Sequence, residues 1–171
     1  MIKLHEFLLT FFYSGKSKKA PGTVGSFVSV LFWLAITKYM SELGMHIMDQ
    51  TVFWTRFVII ATIYASWAIP IYTKQFGQMD HQSIVLDETV GQVIALQLTF
   101  LLIHETYFLD VNVMLIHLFL AFALFRFFDI TKPLLIGWAD RMKTGFGVML
   151  DDILAGFAAA GVLIGYFLLF Y

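Results

Sequence analysis

The stretch FRFFDITKPLLIGWADRMKTGFGVMLDDILAG, from Phe125 to Gly156, places charged side chains between two long apolar runs. Asp129 lies at the end of the first run, and the adjacent Asp151 and Asp152 lie at the start of the second. A charged side chain is unfavourable by about 2.5–3.5 kcal/mol at the centre of a membrane helix. The pattern therefore predicts two membrane-spanning helices joined by a short polar segment, with the acids at the helix ends.

The composition of the whole chain agrees with this interpretation. Of its 171 residues, 60% are hydrophobic and 13% are charged, whereas a soluble domain is about half apolar and about a quarter charged. The excess apolar surface predicts an integral membrane protein. A formal net charge of -1 provides no basic face for nucleic acid. The absence of cysteine excludes disulfides, thiolate metal sites and cysteine nucleophiles.

Five apolar stretches are candidates for crossing a bilayer core about 30 Å thick, which takes about 20 residues of helix. The opening residues MIKLHEFLLTFFYSG predict a retained amphipathic helix, because Lys3, His5 and Glu6 interrupt its apolar residues. We therefore predict an all-α, multi-pass membrane helical bundle, one domain over residues 1–171, with about five spans plus a short N-terminal amphipathic helix. The predicted spans are Ser26–Met40, Val52–Tyr72, Val90–His104, Val113–Phe128 and Ile153–Tyr171.

The lysines and arginines predict the orientation of these spans, because cytoplasmic segments of membrane proteins are enriched in both residue types. Only Lys38 and Arg56 fall on one side of the predicted bundle. This asymmetry places the three polar segments in the cytoplasm and the C-terminus outside. The other side holds Lys3, Lys16, Lys18, Lys19, Lys74, Arg126, Lys132, Arg141 and Lys143.

Five acids adjoin helix ends on the predicted cytoplasmic side: Asp87, Glu88, Asp129, Asp151 and Asp152. Acids at helix N-termini gain roughly 0.3–1 kcal/mol from the helix dipole, which accounts for those preceding spans three and five. It does not account for Asp129, which follows span four. If the segments converge, the carboxylates share a low-dielectric site that protons or cations must neutralise. Oxygen ligands of this kind suit Mg²⁺.

Two further segments are candidates for binding a phosphate. Pro21 and Gly22 predict a turn, and Gly25 and Ser26 predict a second bend in which Ser26 is the helix N-cap. Backbone N–H groups at such a helix start bind phosphate readily. Lys132 follows Asp129 by three residues, so the two side chains face each other if the helix continues to Pro133.

Two features inside the predicted spans are interpreted as architecture. His117 lies within span four, far in sequence from any acid, which is typical of a hydrogen-bonded core histidine. Small residues recur through span five and predict tight helix packing. They are Ala155, Gly156, Ala159, Ala160 and Gly161.

In their order and spacing, KAPGTVGS, DHQSIVLDETVG, FRFFDITKP and GFGVMLDDILAG resemble the motifs of the phosphatidylglycerophosphatase A family. The resemblance covers nearly the whole chain, from about Ser14 to Gly161. It implies a Mg²⁺-dependent lipid phosphomonoesterase that converts phosphatidylglycerophosphate to phosphatidylglycerol. It also implies a multi-pass protein of the bacterial inner membrane with its active site facing the cytoplasm. The implied partners are an anionic phospholipid substrate and the bilayer, with no nucleic acid and no obligate protein partner.

The resemblance also implies roles for individual residues. The five acids named above are the implied catalytic and metal-binding residues, and Asp80 also matches the second motif. One departure is Thr144, which stands where the family tends to have glycine. The implied substrate-binding residues are Gly22, Thr23, Ser26, His81, Arg126 and Lys132.

Several alternatives have weaker support in the sequence. A lipid phosphotransferase of the CDP-alcohol type needs further spaced aspartates on one helix, which Asp151 and Asp152 lack. A cation transporter needs ionisable groups near the bilayer midplane, where this chain offers little besides Gln97 and His117. Hydrolysis by a metal-activated water is preferred to a phospho-aspartate intermediate, because the cluster supplies ligands and a base without a special nucleophile.

Overall fold

The computed structural model describes residues 2–74 and 81–170 and contains no strand within that part of the chain. Five of its helices (α2, α3, α4, α5 and α7) are long and apolar enough to cross a membrane. The predicted all-α bundle with five spans and a short N-terminal helix is confirmed. The helices are α1 (Ile2–Leu9), α2 (Pro21–Glu42), α3 (Ile47–Thr73), α4 (Leu86–Tyr107), α5 (Val111–Thr131), α6 (Leu135–Asp140) and α7 (Gly145–Phe170).

The fifth span begins eight residues earlier than predicted. The Thr144 hydroxyl accepts a hydrogen bond from the Gly147 N–H at 2.9 Å, so Thr144 caps α7 and the helix starts at Gly145. Asp151 and Asp152 therefore lie nearly two turns inside the helix, where both are buried. The helix dipole acts mainly on the first turn, so the predicted explanation for these two acids is wrong.

The start of α2 also differs from the prediction. Pro21 is the first helical residue, and Ala20 precedes it in the left-handed conformation with φ 46°. Proline suits this position because its missing N–H would have no partner within the helix. Ser26 lies in the second turn, where its hydroxyl donates to the Gly22 carbonyl at 2.9 Å. The prediction that Ser26 is the N-cap is therefore wrong.

Helix α4 lies at the centre of the bundle, where it packs against α2, α3, α5 and α7. It crosses α7 closely because two glycines meet there. A Cβ atom added to Gly91 would lie 2.4 Å from the Asp152 carbonyl oxygen, and one added to Gly156 would lie 2.4 Å from the Gly91 carbonyl oxygen. The predicted tight packing is confirmed for the small residues up to Ala160, whereas Gly161 is exposed.

Polar side chains deep in the bundle bind one another. Gln97 accepts from the Trp33 indole N–H at 3.0 Å and donates to the Thr51 hydroxyl at 3.1 Å. The His117 ring bonds with Thr99 at 2.7 Å and with Tyr107 at 3.1 Å. The prediction that His117 is a core histidine is confirmed. The two sets of hydrogen-bonded side chains do not form a continuous row of ionisable groups. This argues against the transporter alternative.

The N-terminal segment packs against the bundle. The His5 ring bonds with the Tyr64 hydroxyl of α3 at 2.9 Å, and Leu9 and Phe11 are buried in the same core cluster as α3 residues. Glu6 pairs with Lys16 at 2.6 Å, which joins α1 to the turn before α2. The segment therefore forms one wall of the bundle.

Candidate active site

Carboxylates from two helices meet at one end of the bundle. Asp87 and Glu88 lie in the first turn of α4, and Asp152 projects from α7 beside the Gly91–Gly156 crossing. One oxygen from each of the three side chains lies within 4.8 Å of the others. Asp87 also accepts a hydrogen bond from the Glu88 N–H at 3.1 Å. The crossing of α4 and α7 therefore assembles three of the five predicted acids.

Asp129 adjoins this group through an arginine. The Arg126 guanidinium pairs with Asp129 at 2.5 Å, and both side chains are about 15% exposed. Asp129 also interacts electrostatically with Glu88 and Asp152. The end of α5 thus brings one carboxylate and one cation to the acids of α4 and α7.

The first turn of α2 completes this side of the site. A Cβ atom added to Gly22 would lie 2.4 Å from Glu88 Oε1 and 3.2 Å from Arg126 Nη1. Ser26 lies one turn further along α2, and its hydroxyl is 3.4 Å from the same guanidinium nitrogen. The predicted convergence of the first, second and third segments is therefore observed at Gly22.

Lys132 has different partners from the one that the sequence predicted. Its ammonium group pairs with Asp151 at 2.7 Å and with Asp140, not with Asp129. Helix α5 ends at Thr131, and Lys132 follows in the left-handed conformation with φ 44°. This turn directs its side chain towards α6 and α7, whereas Arg126 pairs with Asp129.

The surroundings of Lys132 keep its side chain protonated. Burial lowers the pKa of Lys132, but its hydrogen bonds with Asp140 and Asp151 outweigh that effect and raise the pKa above the ordinary value. The site therefore holds two basic side chains, Arg126 and Lys132, beside its carboxylates. Both are able to donate charge-assisted hydrogen bonds to a phosphate.

Sequence reasoning missed Asp140 because α6 has only six residues and no apolar periodicity that separates it from a loop. It also missed Gln92, which is fully buried in α4 one turn after Glu88. Its only sequence signal is a polar residue four positions after an acid inside an apolar run. Neither amide atom of Gln92 has a hydrogen-bond partner in the described part of the chain.

The polar atoms of the site fit a divalent cation. Within residues 2–74 and 81–170, buried oxygens of Glu88, Asp151 and Asp152 have no hydrogen-bond partner. A buried carboxylate that lacks a partner is strongly unfavourable. Clustered carboxylates with free oxygens are the donor set that Mg²⁺ or Ca²⁺ binds, together with water.

The remaining predicted site residues lie nearby or outside the described part. Thr23 is half-buried in the first turn of α2, next to Gly22. The His81 ring bonds with the Ser83 hydroxyl at 2.7 Å, in the turn that leads into α4. Asp80 lies outside the described residues. Substrate binding by Thr23 and His81 stays a prediction.

Comparison of the sequence with known proteins relates this chain to a family. The family model described as Phosphatidylglycerophosphatase A matches residues 7–167. Two relatives carry the same name: one in Escherichia coli K12 is 32% identical over 89% of this chain and 77% of its own, and one in Haemophilus influenzae Rd is 34% identical over 89% and 82%.

A Bacteroides thetaiotaomicron protein, provisionally named a phosphatidylinositol-3-phosphatase, is 34% identical over 86% of this chain and 83% of its own. No solved structure matches the chain. The family model covers more than nine-tenths of the sequence, and relatives above 30% identity match along most of their length. The chain therefore belongs to the phosphatidylglycerophosphatase A family.

Proposed function

We propose that this protein hydrolyses the terminal phosphate of phosphatidylglycerophosphate and releases phosphatidylglycerol, in the bacterial inner membrane. The names of its curated relatives support the reaction. The observation that carries the proposal is the meeting of Asp87, Glu88 and Asp152 at one end of five membrane-length helices. A lipid phosphate lies at the same depth as such helix ends, where the bilayer core gives way to polar groups.

We further propose that Asp87, Glu88 and Asp152 hold Mg²⁺ and that Asp129 and Asp151 adjoin the ion. The unpartnered buried oxygens of Glu88 and Asp152 support this assignment. When bound, Mg²⁺ supplies positive charge that offsets the repulsion between carboxylates and phosphate, and it acidifies nearby water. Without a cation, three carboxylates within 4.8 Å would repel an anionic substrate.

The cations of the chain have a separate role in this proposal. Arg126 lies beside Gly22 and Ser26, so its guanidinium reaches the start of α2, where backbone N–H groups also favour a phosphate. Lys132 approaches from the side of α7. Together they orient the phosphate and stabilise its negative charge during transfer.

The bond changes follow from these positions. A water oxygen bonds to the phosphorus while the ester bond to the glycerol oxygen breaks. One carboxylate of the cluster accepts a proton from the water, and the glycerol oxygen takes up a proton as it leaves. Inorganic phosphate and phosphatidylglycerol are the products.

The deciding experiment measures phosphate release from phosphatidylglycerophosphate by purified protein, in Mg²⁺ and in EDTA. We expect release in Mg²⁺ and its loss in EDTA, with recovery when Mg²⁺ is restored. The matched control is Asp152→Asn purified in the same way, because it excludes a contaminating phosphatase. Equal release in EDTA would contradict the metal assignment.

A second substrate distinguishes the two activities for which relatives are named. Phosphatidylinositol 3-phosphate is assayed beside phosphatidylglycerophosphate under identical conditions, and we expect catalytic efficiency to favour phosphatidylglycerophosphate. A preference for the inositol lipid would support a lipid phosphatase but assign it phosphatidylinositol 3-phosphate as its substrate. Failure to release phosphate from either lipid would contradict the proposed function.

A further inference from the structure

A second feature lies on the membrane-facing side of α3, apart from the carboxylates. It is a groove of about 630 Å³ between α3, α2 and the segment that follows α1. Aromatic side chains form most of its wall, among them Phe11, Phe12, Phe32, Phe53 and Phe57. Its volume lies within the range of about 300–1,000 Å³ that is typical of ligand sites.

The groove has the length of one leaflet's hydrocarbon. Its walls follow α3 from Phe53 to Tyr64, and the eleven helical steps between these two residues span roughly 16 Å at about 1.5 Å per step. Half of the bilayer core is about 15 Å thick. Phe53 and Ile60 are 43% and 65% exposed, so this side of the groove is open to lipid.

Arg56 is the one charged residue among those that line the groove. It lies nine residues after Ile47 and seventeen before Thr73, roughly 14 Å and 26 Å from the ends of α3. Within residues 2–74 and 81–170, no carboxylate forms an ion pair with it. A cation at this depth in a membrane helix is unfavourable without an anionic partner.

We propose that this groove binds an anionic phospholipid of the bilayer, with the lipid phosphate on Arg56 and one acyl chain along the aromatic wall. The guanidinium extends towards the nearer membrane surface, as long cationic side chains do, and meets the phosphate there. The chain then follows the groove inward for its length. Leu86, which precedes Asp87, is the lining residue next to the carboxylate cluster, but the lining includes no residue that we assign to catalysis or phosphate binding in the active site. The proposal therefore does not rest on the proposed phosphatase activity.

The test uses a lipid that is neither substrate nor product of the proposed reaction. Purified protein in detergent micelles receives equal amounts of phosphatidylserine and phosphatidylcholine with identical acyl chains. Native mass spectrometry then counts the lipids retained. We expect preferential retention of phosphatidylserine, and Arg56→Gln should reduce that preference by about tenfold to a hundredfold, the range for a charge-assisted hydrogen bond. Arg56→Lys should retain most of it.

The matched control is Lys38→Gln, which removes a cation that is also on the far side from the carboxylates and pairs with Glu42 at 3.9 Å. It should leave the preference unchanged. An unchanged melting temperature of Arg56→Gln in the same detergent shows that this variant is folded. The proposal is overturned if wild-type protein retains both lipids equally or if Arg56→Gln keeps the preference. It is equally overturned if the groove holds a second copy, seen as a dimer that Arg56→Gln dissociates.

Discussion

At the scale of single residues, carboxylates with the same chemistry have different partners. Asp129 pairs with Arg126 at 2.5 Å and Asp151 pairs with Lys132 at 2.7 Å. Asp152 is buried with one oxygen that has no partner among the described residues. The loss of a negative charge should therefore have different consequences at these positions.

The first prediction concerns Asp152→Asn. A bound cation stabilises the transition state of phosphoryl transfer by several kcal/mol. Loss of this ligand should therefore lower turnover by about a hundredfold or more. It should also raise the Mg²⁺ concentration needed for half-maximal activity. The melting temperature should not fall, because a like charge leaves a buried cluster. Turnover is measured against Mg²⁺ concentration, with Tm measured in parallel.

Asp49→Asn is the control for this variant, because Asp49 lies in the first turn of α3, away from the site. It should keep normal turnover and metal dependence. Wild-type turnover and Mg²⁺ dependence in Asp152→Asn would exclude Asp152 as a metal ligand. A lower Tm with normal turnover would assign it a structural role instead.

The second prediction concerns the lysine that bridges α6 and α7. Lys132→Ala should reduce kcat/KM by about tenfold to a hundredfold, since it removes a charge-assisted hydrogen bond to phosphate. Asp140→Asn should have a smaller effect in the same direction, because Asp151 still holds the ammonium group. Steady-state kinetics separate the two variants, with Lys38→Ala as the control. An unchanged kcat/KM in Lys132→Ala would show that Lys132 does not bind the phosphate.

The sequence predicted the acids and cations of the site but not their pairing. Acids at the ends of apolar runs are recognisable because lipid excludes charge from the rest of each run. The pairing depends on backbone turns that no side-chain pattern encodes, such as the left-handed conformation of Lys132. Asp140 was missed because α6 is too short to be recognised from its sequence, and the position of Asp140 depends on how α6 packs against α7.

At the scale of helices, the crossing of α4 and α7 determines where three carboxylates meet. Gly91 and Gly156 allow each helix backbone to approach the other without an intervening Cβ atom. The five spans were predictable because each is a long apolar run. The start of α7 was not, because Thr144 adds two turns that contain both aspartates. Capping thus decided the depth of Asp151 and Asp152.

The third prediction tests this crossing. Gly91→Ala and Gly156→Ala should each lower Tm and activity, because the new Cβ atom would lie 2.4 Å from a backbone oxygen of the other helix. Overpacking of this kind is unfavourable by about 1–3 kcal/mol. Gly161→Ala is the matched control in the same helix, since no atom beyond the neighbouring backbone of α7 lies within 4 Å of its added Cβ. It should be neutral or slightly stabilising.

Activity and Tm should fall together in these variants, because the carboxylates separate when the helices do. If Gly156→Ala keeps wild-type turnover and Tm, the close crossing does not hold the site together. If Gly161→Ala is as damaging as Gly156→Ala, alanine disturbs α7 by another route, and the crossing is not the cause.

At the scale of the whole molecule, the site occupies one end of the bundle. The starts of α2, α4 and α7 and the end of α5 meet there, as expected of helices that alternate in direction. Of the eleven lysines and arginines, eight lie in the segments next to these ends, and Arg126 lies in the last turns of α5. From the distribution of positive charge, we predict that this end faces the cytoplasm.

The fourth prediction tests that orientation by labelling. Single cysteines replace Lys18, Gln82 or Lys143 in this cysteine-free chain, and each replaced side chain is exposed. A membrane-impermeant maleimide should label them slowly in intact cells and rapidly after the membrane is opened. Asn112→Cys, in an exposed position at the other end, should label rapidly in both. Rapid labelling of Lys18→Cys in intact cells would show that the protein has the opposite orientation in the membrane.

For the lipid substrate proposed above, the placement of the carboxylates at the ends of membrane helices also determines how the enzyme meets that substrate. A lipid in the same bilayer reaches these groups by lateral diffusion and never dissolves in water. The concentration that governs the encounter is therefore the mole fraction of substrate in the membrane surface, not its amount per volume of solution. Addition of neutral lipid dilutes the substrate for this enzyme even when the total quantity in the vessel is constant.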